Sequence, residues 1–280
     1  MVYILISIGK YSRLKILEKT SNWLVLDALE LGTANIASSE FCDTVSVGES
    51  VEVFLYHNSK AELIATTKRV PTVGQVSYLR VKNITGIGAF LDWGLDKDLF
   101  VPLAEQHRPF EVGKSYIVYL YLDKINGRIT ASSKINKFIK DYAGNDITQN
   151  QEVDLIIANS TDIGYKAIIN NSYWGIIYSS EVFKRLSFGQ SVKGYIKNIR
   201  DDGRIDLSLQ LVHKDLDRNA DLVEKYLVEH NGSAPFNDKS NPNDIVREFG
   251  ISKAAFKRAI GTLLKRKKIV IREGSIHLNG

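Results

Sequence analysis

The chain repeats itself, and the repeat limits what it can fold into. Three glycines mark it: Gly48 in Val47-Gly48-Glu49-Ser50-Val51, Gly113 in Val112-Gly113-Lys114-Ser115-Tyr116 and Gly189 in Phe188-Gly189-Gln190-Ser191-Val192. Glu40, Glu105 and Glu181 stand eight residues before these markers, and Ile64, Ile129 and Ile205 sixteen after. Gly9 and Gly74 each precede their marker by thirty-nine residues, so the first two units are in register over nearly their whole length. The third matches best in its second half. A period of about 65 residues exceeds a solenoid repeat, so each unit is a small domain burying its own core.

The clearest unit runs from Gly74 to Lys134. Short runs alternate apolar and polar residues between Gly, Asp and Asn, the pattern of an antiparallel barrel with one packed and one exposed face. Five or so short strands per unit favour a five-stranded barrel of the OB type. Within it, Gly86-Ile87-Gly88-Ala89-Phe90-Leu91-Asp92, Leu99-Phe100-Val101-Pro102-Leu103-Ala104-Glu105 and Asn126-Gly127-Arg128-Ile129 resemble the S1 RNA-binding domain. The first unit, 1–70, is a degenerate version. It has Trp23-Leu24-Val25 where the second has Gly88-Ala89-Phe90.

Strand parity assigns faces. In the second unit, 71–137, Leu79, Val81, Ala89, Leu91, Val101, Val118 and Leu120 point inward. Tyr78, Arg80, Lys82, Phe90, Phe100, Tyr119, Tyr121 and Arg128 point out. Aromatic rings interleaved with cations are what a single-strand binder needs, because bases stack on the rings while cations neutralise phosphate. The competing reading of such rings is cross-strand pairing or a contact between domains. The first unit offers Val25, Glu52, Phe54 and Tyr56 instead, a face suited to packing against a neighbour. The third unit, 149–212, turns out Lys166, Tyr178, Lys193, Tyr195, Lys197 and Arg204; a solvated strand edge is the bland account of its lysines. The polar segment between Lys134 and Gln149 reads as a linker that leaves the third unit some independence.

After Leu211 the pattern becomes helical over Asp221–Asn231 and Asn243–Phe249, and Ser252 is placed to cap a helix from Lys253 to about Lys268. Phe256, Ile260, Leu263 and Leu264 form its apolar stripe, with Lys253, Lys257, Arg258, Lys265 and Arg266 on other faces. An alternating run from Ile269 to Leu278 broken at Glu273-Gly274 is a hairpin signal. Residues 217–280 therefore read as a winged helix-turn-helix. The chain as a whole is expected to be mainly β and multidomain, with three OB/S1-like barrels and this winged helix at the end.

Composition narrows the setting. The chain has 280 residues, 44% hydrophobic and 25% charged, with no apolar run approaching the ~20 residues that span a bilayer. Its apolar opening, Met1 to Ile8, lacks a charged leader and reads as a strand. One cysteine, Cys42, excludes an intrachain disulfide and favours a reducing cytoplasm. The pI near 9.0 admits a polyanionic partner. Basic charge is concentrated in residues 71–140, with 10 basic and 6 acidic groups, and in 217–280, with 12 and 8.

No enzyme signature emerges. His57, His107, His213, His230 and His277 are scattered, and neither a phosphate loop nor a nucleophile elbow is present. Asp201-Asp202 and Asp96/Asp98 are read as acidic turns rather than metal ligands, and no cofactor or small-molecule substrate is expected.

Three S1-like barrels followed by Ser252-Lys253-Ala254-Ala255-Phe256-Lys257-Arg258-Ala259-Ile260-Gly261-Thr262-Leu263 resemble the bacterial conserved virulence factor B family. That resemblance implies a non-catalytic RNA-binding protein that affects gene expression after transcription. Phe90 and Arg128 match S1 positions that commonly contact RNA. The motif's histidine position is Pro102 in the second unit and Tyr178 in the third. Two rivals stay open: a transcription regulator reading duplex DNA through Lys253, Lys257, Arg258, Lys265 and Arg266, and a scaffold on ribosomal or RNA-processing proteins.

Overall fold

In the computed structural model, the described residues are 6–41, 45–182, 185–210, 212–272 and 274–279, without the side chains of 181 and 212–218. Cys42 and the His213 side chain lie outside them. Three closed barrels follow one another, each with its five strands in the order first, second, third, fifth, fourth. The first holds β1 Tyr11–Lys19, β2 Trp23–Asp27, β3 Thr33–Ala37, β4 Ser50–His57 and β5 Leu63–Thr66. The second holds β6 Val76–Thr85, β7 Gly88–Asp92, β8 Leu99–Pro102, β9 Ser115–Leu122 and β10 Ile129–Ser132. The third holds β11 Glu152–Thr161, β12 Gly164–Ile169, β13 Tyr173–Tyr178, β14 Ser191–Ile199 and β15 Ile205–Ser208. Of the expected opening strand, Met1 to Leu5 lie outside the described residues, and Ile6 to Ile8 lead instead into a turn at Gly9.

The repeated landmarks are barrel-closing devices. Gly48, Gly113 and Gly189 have φ of +95°, +83° and +78°, where a side chain is strained. Each donates its N–H to the carbonyl of the residue thirty-two places earlier, Ile16, Val81 and Ile157, at 2.9, 2.9 and 2.8 Å. Those residues sit at the bulge of the unit's first strand. The glycine thus pins the start of the fourth strand to a bent first strand, the bend a small barrel needs to close. Glu40 and Glu105 clamp the end of the fifth strand, accepting from Thr66 Oγ1 at 2.7 Å and Ser132 Oγ at 2.5 Å.

The inward set of the second barrel is as parity predicts: Val81, Ala89, Leu91, Val101, Val118 and Leu120 are buried and Leu79 is half-buried. Phe54 and Tyr56 point out of the first barrel but are buried in the second barrel's cluster, Phe54 edge-on to Trp93 at 5.9 Å. The face expected to meet a neighbour meets barrel 2. Glu52 stays exposed and pairs with Arg69 at 2.6 Å.

The segment after Lys134 is not a free linker. Ile139 is buried with Val76, Ile117, Ile168 and Trp174, and Phe138 stacks on Tyr119 with centroids 4.1 Å apart. Lys140 bridges to Tyr173. The polar composition concealed two apolar anchors, Phe138 and Ile139, and these dock the segment. Two units divide the chain, Met1–Tyr142 with Asp154–Gly175 and Lys184–Val192, and Ala143–Val153 with Ile176–Phe183 and Lys193–Gly280.

The C-terminal region consists of α1 Val212–Glu229, β16 Ser233–Ala234, α2 Pro242–Phe249, α3 Lys253–Lys265, β17 Ile269–Arg272 and β18 Ser275–Leu278, the strands ordered β16-β18-β17. Asn241 and Ser252 cap α2 and α3, accepting from the backbone N–H groups of Asn243 and Ala255. The helix expected at Asp221–Asn231 starts nine residues earlier, at Val212, because its polar first turns lack the apolar period. α3 ends at Lys265 rather than near Lys268: Lys267 turns to φ +58° and the chain enters β17. Ala259 replaces Leu264 in the buried stripe with Phe256, Ile260 and Leu263; Leu264 is 38% exposed.

Candidate nucleic-acid interface

The most complete set lies on the second barrel. Phe90 and Phe100 are directly opposite on β7 and β8, both half-buried, with ring centroids 5.2 Å apart. Gly88 makes room for the Phe100 ring: a Cβ there would stand 2.7 Å from Phe100 Cε2. Arg128, just before β10, is exposed and has no carboxylate partner among the described residues. It shares a small recess with Lys97 and His57. Lys97 Nζ donates to the His57 and Asn58 carbonyls at 3.0 Å each, which holds the ammonium in place. Burial and then the Arg128 charge push the Lys97 ammonium down, while burial, Lys97 and Arg128 push His57 down. The second barrel therefore carries both a ring pair and a recess in which Arg128 and Lys97 stand together, with Asp98 also in its lining.

Other expected contacts are already engaged. Lys82 forms an ion pair with Asp98 at 2.7 Å, and Arg80 Nε donates to the Gly113 carbonyl at 3.1 Å. Tyr78 is 42% exposed, yet its ring lies edge-on to Phe188 at 5.4 Å and fills the place a Gly189 side chain would take. Tyr119 is stacked on Phe138, and Tyr121 lies 5.7 Å from the same ring. Tyr119 and Tyr121 thus pack against Phe138, while Tyr78 meets Phe188 by an edge and keeps part of its surface open: parity gives the face of a strand, not what covers that face.

In the third barrel, Lys166 Nζ stands 4.0 Å over the Trp174 ring. Tyr178 Oη accepts from Arg200, whose guanidinium bonds Asp206 at 2.6 Å. Tyr195 Oη donates to Glu152 at 3.2 Å, which also lies 3.8 Å from Lys193 Nζ. The Lys197 carbonyl accepts from Gln149 at 2.9 Å, and Arg204 Nε lies 3.6 Å from Asp202. Carboxylates from two strands, Glu152 of β11 and Asp206 of β15, and from the turn at Asp202 stand beside these groups. Much of this face's positive charge is met within the chain.

On the winged helix, Lys257, Arg258, Lys265 and Arg266 are exposed and Lys253 is half-buried at the start of α3. Lys268 pairs with Glu224 at 2.7 Å. Sequence reasoning missed Lys97, Arg108, Trp174 and Phe188, three of them in loops or turns outside any strand. Parity has no purchase there. An aromatic residue directly before a marker glycine was the available signal for Phe188.

Comparison with known proteins bears on this arrangement. The S1 domain model matches residues 8–68 and 73–134, and the CvfB-like winged helix domain model matches 221–278. Conserved virulence factor B of Staphylococcus epidermidis is 30% identical over 262 residues, covering 90% of this chain and 86% of its own. The chain belongs to the conserved virulence factor B family. A Bacillus subtilis relative in the same range, YitL, is 30% identical over 253 residues, covering 86% of this chain and 84% of its own. A multidomain Streptococcus pneumoniae protein with nucleic acid binding domains aligns over 97% of this chain and 98% of its own, at 26% identity and a TM-score of 0.41. With S1 and winged-helix domains, this conserved virulence factor B family member is a protein of the nucleic-acid-binding type, and the matched domains include no catalytic one. Among the described residues no helix is long and apolar enough to cross a membrane.

Proposed function

We propose that this chain is a non-catalytic, cytoplasmic regulator that binds single-stranded RNA and acts on gene expression after transcription. Its working parts are taken to be domains 1–70, 71–137, 149–212 and 217–280. The observation that carries the reading is that the second barrel presents both the half-buried Phe90–Phe100 ring pair and an exposed Arg128. Rings bind the bases of an unpaired strand whatever their identity, and cations without carboxylate partners bind phosphate at no cost of breaking an ion pair. Weak sites on successive domains of one chain reinforce one another through effective concentration.

The test is competition between labelled single-stranded RNA and duplex DNA for the full-length chain. RNA should win, Phe90→Ala should weaken RNA binding about 5- to 150-fold, the equivalent of one stacked base, and Arg128→Ala should lower the salt slope by about one. Preference for duplex DNA, or unchanged binding in both variants, defeats the reading. A second reading, duplex DNA held by α3, is favoured by one feature: Lys257, Arg258 and Lys265 are exposed with no carboxylate partner among the described residues.

A further inference from the structure

A cleft of about 450 Å³ opens within the compact unit made of Met1–Tyr142, Asp154–Gly175 and Lys184–Val192, and neither Phe90 nor Phe100 lines it. It lies between the β9 side of the second barrel and the β11–β13 part of the third. Its size falls in the range of small-molecule sites, about 300–1,000 Å³. Two aromatic walls line it. On one, Phe110 and Tyr116 are stacked 3.9 Å apart at 9°, with the Arg108 guanidinium 5.5 Å from the Tyr116 ring centre. On the other, Lys166 Nζ stands 4.0 Å over Trp174. Phe188, 46% exposed, is a lining ring open to solvent, and its edge contact with Tyr78 fixes its orientation.

The electrostatics differ from those of the barrel faces. Lys82, Lys193 and Arg204 stand beside carboxylates. In the cleft, Arg108 and Lys166 rest on ring faces, Lys134 joins them, and none of the described lining residues is acidic. A cation held by a π face keeps its charge available, so an anion can approach without displacing a carboxylate. Asn136 and Asn159, both exposed, add amide donors and acceptors suited to a base edge.

We propose that this cleft is a nucleotide subsite, in which one base of a single-stranded RNA stacks on Phe188 and the adjoining phosphate is met by Arg108, Lys134 and Lys166. It deepens, and rests on, the RNA-binding reading above. It places an RNA contact where two domains join, not on the exposed face of either barrel.

The test uses the full-length chain and a fluorescein-labelled 12-nucleotide single-stranded RNA. Phe188→Leu and Lys166→Gln should each weaken binding about tenfold, Phe188→Tyr should retain it, and Lys166→Gln should also lower the salt slope by about one. With 4-thiouridine RNA, photocrosslinks on the wild-type chain should map to the peptides carrying Trp174 or Phe188, which checks the site without any substitution. Wild-type affinity in both Phe188→Leu and Lys166→Gln, with binding still lost in Phe90→Ala, overturns the subsite and leaves the RNA reading standing. Crosslinks confined to the Phe90–Phe100 face do the same. No RNA binding by the wild-type chain overturns both. Adenosine or uridine monophosphate binding as tightly as the oligomer and lost in Phe188→Leu overturns the assignment to an RNA strand in favour of a free nucleotide.

Discussion

Phe54→Ala is the sharpest probe of how the first barrel is used. The ring is fully buried, yet it belongs to the second barrel's cluster and not to the first barrel's own core of Leu14, Ile16, Leu24, Leu26 and Leu55. Its centroid lies 5.4 Å from Tyr11, 5.9 Å from Trp93 and 6.3 Å from Tyr56. Truncating a buried phenylalanine costs about 3–5 kcal/mol. Two closed barrels flank this ring and neither can collapse far into the void, so the upper part of that range, about 4–5 kcal/mol, is expected. Guanidinium unfolding of the full-length chain, followed by circular dichroism, gives the loss. A double-mutant cycle with Trp93→Ala should return a coupling of about 0.5–1.5 kcal/mol, the worth of an aromatic pair. The same cycle with Leu24→Ala, in the other cluster, should be additive to within about 0.5 kcal/mol. A loss below about 1 kcal/mol, or coupling to Leu24 with none to Trp93, would refute the claim that Phe54 joins the two barrels.

Two further outcomes follow from the same packing. Phe138→Ala removes the ring stacked on Tyr119 and should release the segment after Lys134, seen as faster limited proteolysis between 134 and 149; unchanged cleavage would return that segment to the status of a linker. Glu105 is raised by burial but lowered more by hydrogen bonds from Lys137 and Ser132 and by nearby lysine charge, so its carboxyl titrates below its ordinary 4.5. A depressed folded value stabilises fully above about 4.5 and is lost as pH falls through the folded value. Glu105→Gln should therefore flatten the stability slope in that acid window and cost about 1 kcal/mol at neutral pH, allowing for the half-exposed lysine. A slope identical to wild type would contradict this role.

Much of this was readable in the residues. The marker glycines and glutamates recur because every small barrel of this kind must bend its first strand, pin its fourth and clamp its fifth, and these are local demands written at fixed spacing. Alternation identified the inward residues of the second barrel, and the capped, periodic stretches identified α2 and α3. Alternation also showed that Phe54 leaves its own barrel. It left open what Tyr78, Tyr119, Lys166 and Tyr195 touch, because parity describes one strand while a contact is made by residues distant in sequence. Tyr78 meets Phe188 across 110 positions and Tyr119 meets Phe138 across 19. Charge behaved likewise: Glu152 lies 3.8 Å from Lys193 and Asp202 3.6 Å from Arg204, two of the cations expected to be open. The sequence by itself determined the barrels, their order and the winged helix, since each depends on periodicity within about 65 residues. Only the tertiary structure decided which rings and cations are available and which are spent holding domains together, because burial and pairing are properties of the assembled surfaces.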